Sequence, residues 1–414
     1  LGDKEIKMKV LILQDDFPPR SLGGAGIIAF NLADYFQKSG HQVCVITTVQ
    51  DKNDVGVGRQ DGLTVYKIYS DYHERWTSYV SLYNPKVVRE VRRIIDEIQP
   101  DVVHAHNIHR HLSFRCLKVA KVSGAKVFLT SHDAMTFHYG KLAQRKDKFG
   151  VVGYKVSAWR HFKKYKKRYN PLRNIIIKHY LHKYVDKIFA VSAELQKALF
   201  ENGIKNVSII HNGIDINKWQ PVVGNISDFK KKFGLDGRKV VMFGGRLSAE
   251  KGGEKIVESM KQVVKEVPEA KLLILGRVSN YADEMLELAK ENGISEALIF
   301  TGWVSGEELV AGYHASDVVV VPSLYLDPFP TVNLEAMASG KPVVGTCFGG
   351  TKEVIEDGIT GYIINPFNVS EMTGKIIDLL IEPTLRQKFG KAGLERVAKD
   401  FALSVQAEKI LKFY

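Results

Sequence analysis

Residues 322–344, PSLYLDPFPTVNLEAMASGKPVV, are the stretch from which the rest of the chain can be read. A continuous apolar run, 318–321, precedes them and predicts a buried parallel strand. A loop with Asp327, Pro328, Phe329 and Pro330 follows. A helix is expected to open near Thr331 and to carry Val332, Leu334, Ala336, Met337 and Ala338 inward. Gly340 ends it, and Pro342 starts the next strand. Asp327 in the loop and Glu335 about a turn into the helix both lie near a helix N-terminus, whose free N–H groups and positive dipole end attract anions. Carboxylates beside an anion site suit a ligand that carries both phosphate and hydroxyls, as a nucleotide-sugar does.

Outward from this stretch, 414 residues are too many for one ordinary core, so two domains are expected. Hydrophobic content of 45% and charged content of 25% are those of a soluble globular protein, and no apolar run is long enough to span a bilayer. The opening LGDKEIKMKVLIL has no small-residue cleavage site, so a signal peptide is not expected, and the residues before Met8 read as a leader or remnant. Cys44, Cys116 and Cys347 are widely spaced in apolar segments and read as buried free thiols in a reducing, cytoplasmic setting. The net charge of +13 is local: 15 basic and two acidic residues lie between Lys141 and Lys187, which is the whole excess. A basic face of this kind points to a partner surface.

Strand and helix patterns alternate through both halves. In the first, strands are expected at 10–13, 43–47, 63–68 (a strand or hairpin), 102–105, 126–130, 188–191 and 207–210. Helices are expected at 26–39, 85–98, 111–122 and 193–201. In the second half, strands at 240–243, 272–275, 298–300, 318–321 and 362–364 alternate with helices at 254–266, 282–291 and 306–314. Each half opens with strand, glycine-rich turn and helix. The pattern is α/β, with two doubly wound Rossmann-like domains facing each other across a cleft. The expected bounds are 1–216 and 217–390, with C-terminal helices at 391–414 able to pack back towards the first domain.

In the first turn, Gly23, Gly24 and Gly26 let the backbone approach an anion, yet the run is not GxGxxG, and a plain tight turn stays open. In the second, Gly244, Gly245 and Arg246 precede Lys251, Gly252 and Gly253. Arg246 and Lys251, five residues apart across a turn, suit a diphosphate. His132, in TSHD just past the 126–130 strand, suits a sugar hydroxyl or an acceptor, and a structural histidine stays open. His104, His106, His109 and His111 have no cysteine or acidic second shell beside them, and no Asp-x-Asp occurs in the chain, so no metal is expected. In the basic segment Val152, Val156, Trp159, Phe162 and Tyr165 or Tyr169 recur at helical spacing. Such a stripe is more often a core face, although a basic helix with Trp and Phe also lies on anionic membranes. No nucleic-acid-binding motif accompanies it, so nucleic acid is not the expected partner.

GGAG, HAHN, TSHD, HNGID, GGRLSAEKGG and the 322–344 stretch, in this order and spacing, resemble the retaining glycosyltransferases of family 4, with the two-Rossmann GT-B fold. The resemblance implies a hexosyltransferase that uses a UDP- or GDP-sugar without metal or other cofactor. Arg246 and Lys251 would hold the diphosphate, and Glu335 the ribose hydroxyls. Asp327 stands where the family usually has Glu, facing the sugar. Backbone amides of Phe329, Pro330's neighbours Thr331 and Val332 would hold sugar hydroxyls and phosphate. His132 matches the histidine that contacts the donor sugar, Gly23 and Gly24 a loop against the phosphates, and Gly302, Trp303 and Val304 the backbone near the base; Gly245 belongs to the diphosphate turn. Asp327 is one methylene shorter than Glu, and Pro330 replaces the commoner Gly and lacks an N–H. Both departures fall at the sugar. The expected acceptor is a lipid-linked or polysaccharide glycan, with residues 141–187 resting peripherally on an anionic membrane at its cytoplasmic face. A nucleotide-sugar epimerase or phosphorylase of the same build, or a transferase for a small soluble acceptor, is the alternative.

Overall fold

The computed structural model describes residues 7–19, 23–142, 153–276 and 279–414. The expected leader, the middle of the first turn at 20–22, and residues 143–152 of the basic segment, Val152 included, lie outside the described residues. The chain divides into two units, Leu1–Gly213 with Leu403–Tyr414, and Ile214–Ala402.

The first unit holds a sheet of β1 (Lys9–Leu13), β2 (Gln42–Val49), β3 (Gly56–Gln60), β4 (Leu63–Tyr69), β5 (Val102–Ala105), β6 (Lys126–Ser131), β7 (Lys187–Ala190) and β8 (Val207–Ile209). Their order is β3-β4-β2-β1-β5-β6-β7-β8. All neighbours are parallel except β3 and β4, an edge hairpin. Asp61 and Gly62 turn that hairpin with φ of 49° and 83°, the left-handed pair a two-residue turn needs. In the second unit β9 (Lys239–Phe243), β10 (Ala270–Ile274), β11 (Leu298–Phe300), β12 (Val318–Val321), β13 (Val343–Thr346) and β14 (Gly361–Ile364) form a parallel sheet in the order β11-β10-β9-β12-β13-β14. Both are Rossmann-like α/β sheets. The four valines of β12 are buried because a central parallel strand is covered on both faces.

In each sheet the strand order reverses once, between β1 and β5 and between β9 and β12. Crevices open at such points, at the carboxyl ends of the strands. The sequence motifs lie there: GGAG after β1, HAHN after β5, GGRLSAEKGG after β9 and the 322–344 stretch after β12.

Helices cover both sheets. Those used below are α1 (Gly24–Lys38), α2 (Arg115–Val122), α3 (Ala158–Tyr165), α4 (Arg173–Tyr184), α5 (Gly253–Glu266), α6 (Gly306–Ala315), α7 (Thr331–Ala338), α8 (Pro383–Asp400) and α9 (Leu403–Leu411). The helix expected from residue 111 starts at Arg115. Its missing turn is held open by Asp15, whose carboxylate accepts from the backbone N–H of His111 and Leu112.

After α8 the chain re-enters the first unit. Leu403, Ala407 and Ile410 of α9 join Ile28, Ala29, Leu32 and Phe36 of α1 in one buried cluster. Tyr414 stacks near Phe36 and Phe128, at 5.5 and 5.1 Å between ring centroids, and its hydroxyl meets His104 Nδ1 at 2.6 Å. Residue 410 is therefore part of the first unit's core. Ile410→Ala is expected to lower the unfolding free energy of that unit by about 2–4 kcal/mol, the usual cost of a buried aliphatic truncation. Chemical denaturation of variant and parent checks it.

Candidate active site

In the second unit the loops after β9 and β12 touch through backbone. Gly252 has φ +82°, and a Cβ there would lie 2.2 Å from the Pro322 carbonyl oxygen. A Cβ on Gly244 would lie 2.6 and 2.7 Å from the Val332 and Val321 side chains, and its N–H donates to the Val320 carbonyl at 2.8 Å. Side chains at either position would part the loops, so these glycines serve close approach.

The approach brings Lys251 to Asp327. Lys251 Nζ lies 2.5 Å from Asp327 Oδ2, which also accepts from Ser323 Oγ at 2.9 Å. Both charges are largely out of solvent, at 16% and 7% side-chain exposure. Asp327 is fixed from behind as well, since its carbonyl accepts from Gly350 N–H and Gly349 leaves room for that carbonyl. Among the described residues Asp327 Oδ1 accepts no hydrogen bond, and Lys251 donates to no second acceptor.

Glu335 sits in the second turn of α7 and accepts from Tyr313 Oη of α6 at 2.5 Å. Burial raises its pKa. Hydrogen bonds from Tyr313 and Thr331 and the charge of Lys251 oppose that shift, which places the lysine in electrostatic reach of Glu335. Pro330 caps α7 with extended backbone and no side-chain cap bond, and the first N–H groups of a helix have no intrahelical partner. Lys251, Asp327, Thr331, Val332 and Glu335 are thus gathered around the switch point of this sheet, with Gly245 in its turn at φ +99°. Arg246 is exposed on that turn. Gly302 closes a bridge to Gly276, with its carbonyl accepting at 2.9 Å; Trp303 is exposed and Val304 buried. Phe329 is buried, with its ring 5.9 Å from Phe401.

The first unit builds a second cluster from histidines. His104, in β5, and His106, just past its end, stack at 4.5 Å. His104 is bracketed by Tyr414 Oη and Thr130 Oγ1. His106 Nδ1 meets His132 Nε2 at 2.9 Å, and the two rings stack. Burial pushes His104 down to about 3 and His132 down to about 4, and it lowers His106 too, so the cluster is neutral near pH 7. His109 instead faces Asp133 at 3.7 Å, and His111 faces Ser70 at 3.0 Å. The four histidines of the sequence therefore do not converge on one point. Gly23 and Gly24 begin α1 after β1, with Gly23 as its N-cap in extended backbone.

Four residues of these sites were not singled out in the sequence. Asp15 accepts from the N–H groups of Arg110, His111 and Leu112; burial pushes its carboxyl up to about 7 against those bonds. Its signal was a polar pair, Gln14-Asp15, continuing an apolar strand. Arg173 belongs to the basic segment by count, yet it is buried. Its guanidinium donates to the Met135 and His138 carbonyls and lies over the Tyr139 ring at 4.7 Å, which holds the loop after His132. Tyr313 and Ser323 are recognisable only through their partners.

The aromatic stripe, open in the sequence between a core face and an outward one, turns Trp159 and Phe162 outward. Trp159 and Phe162 are 70% and 52% exposed, and the residue α3 buries is His161. The helix is only two turns long because Lys166 leaves it at φ 44°. His161 packs among Tyr139, Tyr165 and His138, and this contact turns the Trp159 side outward.

Asp327→Ala would leave Lys251 charged, secluded and without its carboxylate. The expected loss is about 3–5 kcal/mol of unfolding free energy for the second unit, as for other broken buried pairs. Denaturant titration of variant and parent measures it. A loss under about 1 kcal/mol would mean that water replaces the carboxylate.

Two family models match the chain: Glycosyltransferase Family 4 over residues 22–218 and Glycosyl transferases group 1 over residues 225–396. An uncharacterised glycosyltransferase of Methanocaldococcus jannaschii is 28% identical over 87% of this chain and 86% of its own length. The glycogen synthase of Mycobacterium tuberculosis is 25% identical over 98% and 94%. Among solved structures, HepE of Anabaena, in complex with UDP and glucose, superposes with a TM-score of 0.74 at 19% identity, covering 98% of this chain and 99% of that one. With both halves matched by their respective models and both sheets Rossmann-like, the chain belongs to the family 4 glycosyltransferases of GT-B fold.

Proposed function

We propose that the enzyme transfers a sugar from a UDP- or GDP-sugar to a lipid-linked or polysaccharide glycan acceptor, with retention of the anomeric configuration and without a metal ion. The observation that carries this reading is the Lys251–Asp327 pair beside Glu335 and the α7 N-terminus. Breaking the glycosyl–phosphate bond develops negative charge on the departing diphosphate. Lys251, with donors left over from Asp327, can stabilise it together with Arg246 and the α7 amides. The Asp327 Oδ1 atom is available to a sugar hydroxyl, and Glu335 to the ribose hydroxyls. His132 is assigned a sugar hydroxyl. A front-face route, in which the departing phosphate oxygen takes the acceptor's proton, fits a site where no separate base stands out.

Lys251→Ala is expected to lower kcat/KM by about 10²–10³, the scale for losing one transition-state charge partner, and to weaken donor binding. Transfer should persist in EDTA. Loss of turnover on chelation, restored by a divalent cation, would overturn the metal-independent part of the reading.

Glu335 gives a pH-dependent check. Its pKa is raised in the folded protein, so burial disfavours the ionised form, and the penalty disappears as pH falls and the carboxyl is protonated. Glu335→Gln should therefore raise the melting temperature near pH 8 and leave it little changed near pH 4, while donor binding weakens. Thermal unfolding of both proteins at both pH values tests it.

The membrane part of the proposal draws on the exposed face of α3 and its flanks. Trp159 and Phe162 lie 6.0 Å apart between rings, and Leu172 and Ile175 are also exposed. Lys155, Arg160, Lys163, Lys164, Lys166 and Lys167 belong to the same short segment, and each basic group near an anionic surface contributes about 1 kcal/mol. Among the described residues no helix is long and apolar enough to cross a membrane. Co-sedimentation should favour anionic over neutral vesicles, and Trp159→Ala with Phe162→Ala should reduce it. Equal binding to both vesicle types would count against this face.

A further inference from the structure

His106 has one satisfied ring nitrogen and one that is not. Nδ1 meets His132 Nε2 at 2.9 Å, whereas Nε2 is buried without a hydrogen-bond partner. The residue is 2% exposed, sealed on one face by His104 at 4.5 Å and on the other by His132. Its own N–H donates to the Leu13 carbonyl, which fixes the backbone from which the ring projects.

Two neutral imidazoles joined by one hydrogen bond share a single proton between the bonded nitrogens, and each ring then places its lone pair or proton on the other side. If His132 were the donor, His106 would be protonated at Nε2, and a buried N–H would face no acceptor. Orphaned buried N–H groups are the rarer and costlier defect; a lone pair without a donor is more readily left. The arrangement with His106 as donor avoids that defect. It leaves His106 Nε2 unprotonated and makes His132 accept at Nε2. His132 then carries its proton on Nδ1. Among the described residues that atom has no partner, and the ring is partly exposed.

We infer that His106 is a positioning residue: it donates from Nδ1 to His132 and so fixes His132 as the Nδ1–H tautomer, a hydrogen-bond donor to a sugar hydroxyl oxygen. The donor role of His132 towards the sugar rests on the function proposed above; the tautomer does not. Neutrality of all three rings near pH 7 is in keeping with it. The neutral histidine side chain in water favours the Nε2–H form, so the pair would invert the default.

Long-range ¹H–¹⁵N correlation spectra of the full chain, labelled at histidine nitrogen, test the tautomer without any donor present. His132 signals are assigned by their absence from His132→Gln, and His106 signals by their absence from His106→Asn. The expected pattern is a protonated Nδ1 and an unprotonated Nε2 in both residues. A protonated Nε2 in His132 of the parent protein overturns the inference, whatever the variants do. His106→Asn keeps a donor where Nδ1 was, and should retain the Nδ1–H form of His132 with kcat/KM within about threefold of the parent. His106→Ala should release His132 to the Nε2–H form and lower kcat/KM by about tenfold or more. A spectrum unchanged in His106→Ala would overturn the positioning role. A spectrum that changes with no loss of kcat/KM would support the pair and remove the sugar role of His132.

Discussion

The contact on which the second unit's site depends is between two backbones. Gly252 and the Pro322 carbonyl approach so closely that no side chain fits between them. The Lys251–Asp327 pair follows from that closeness. Lys251 is the residue next to Gly252, and Asp327 lies five beyond Pro322, so holding the two loops together delivers an ammonium to a carboxylate across 76 residues of sequence. Ser323 then holds the carboxylate from another side, while Gly349 and Gly350 hold the Asp327 backbone carbonyl. The pair is an outcome of backbone packing, and the glycines are the part of the motif that makes the packing feasible.

A secluded ion pair adds little stability compared with apolar residues of the same size, because both ions lose their water. Its value here is positional. The lysine is held by one of its three donors at a defined point, beside the free amide end of α7, and Glu335 lies within range of its field. A ligand with phosphate on one side and hydroxyls on the other would find a cation, helix amides and a carboxylate oxygen already set, which limits the ordering needed on binding.

Much of this was legible in the sequence, and the residues that were not share a cause. Apolar runs such as 102–105, 298–300 and 318–321 gave strands with the observed bounds, and Pro85 at the first turn gave the start of the 85–98 helix. Lys251, Asp327, Glu335 and His132 were legible because they flank strand ends and glycine turns. That Lys251 and Asp327 pair with each other was not, since pairing depends on how two loops cross. The start of α2 was misplaced for the same reason: nothing between residues 111 and 115 announces that Asp15, almost a hundred residues earlier, holds their amides. Charge counting placed Arg173 on the surface although it is buried, and periodicity left Trp159 and Phe162 open between a core face and an outward one, where they are exposed. Periodicity identifies a face, while burial depends on which neighbour covers it. On α3 His161, flanked by tyrosines, occupies the inner face.

The two units solve opposite electrostatic problems with the same topology. Each sheet offers one reversal of strand order, and each fills it with polar side chains from the loops after the flanking strands. In the second unit those side chains are ions, as suits a leaving group whose charge must be met when the bond breaks. In the first they are imidazoles kept neutral by burial, with the loop around them pinned by Asp15 and Arg173. Neutral rings discriminate by the direction of a proton rather than by net charge, and they do so only if each tautomer is held. Tyr414 and Thr130 bracket His104, and Asp15 pins the loop after β5, so buried polar groups surround the His106–His132 pair.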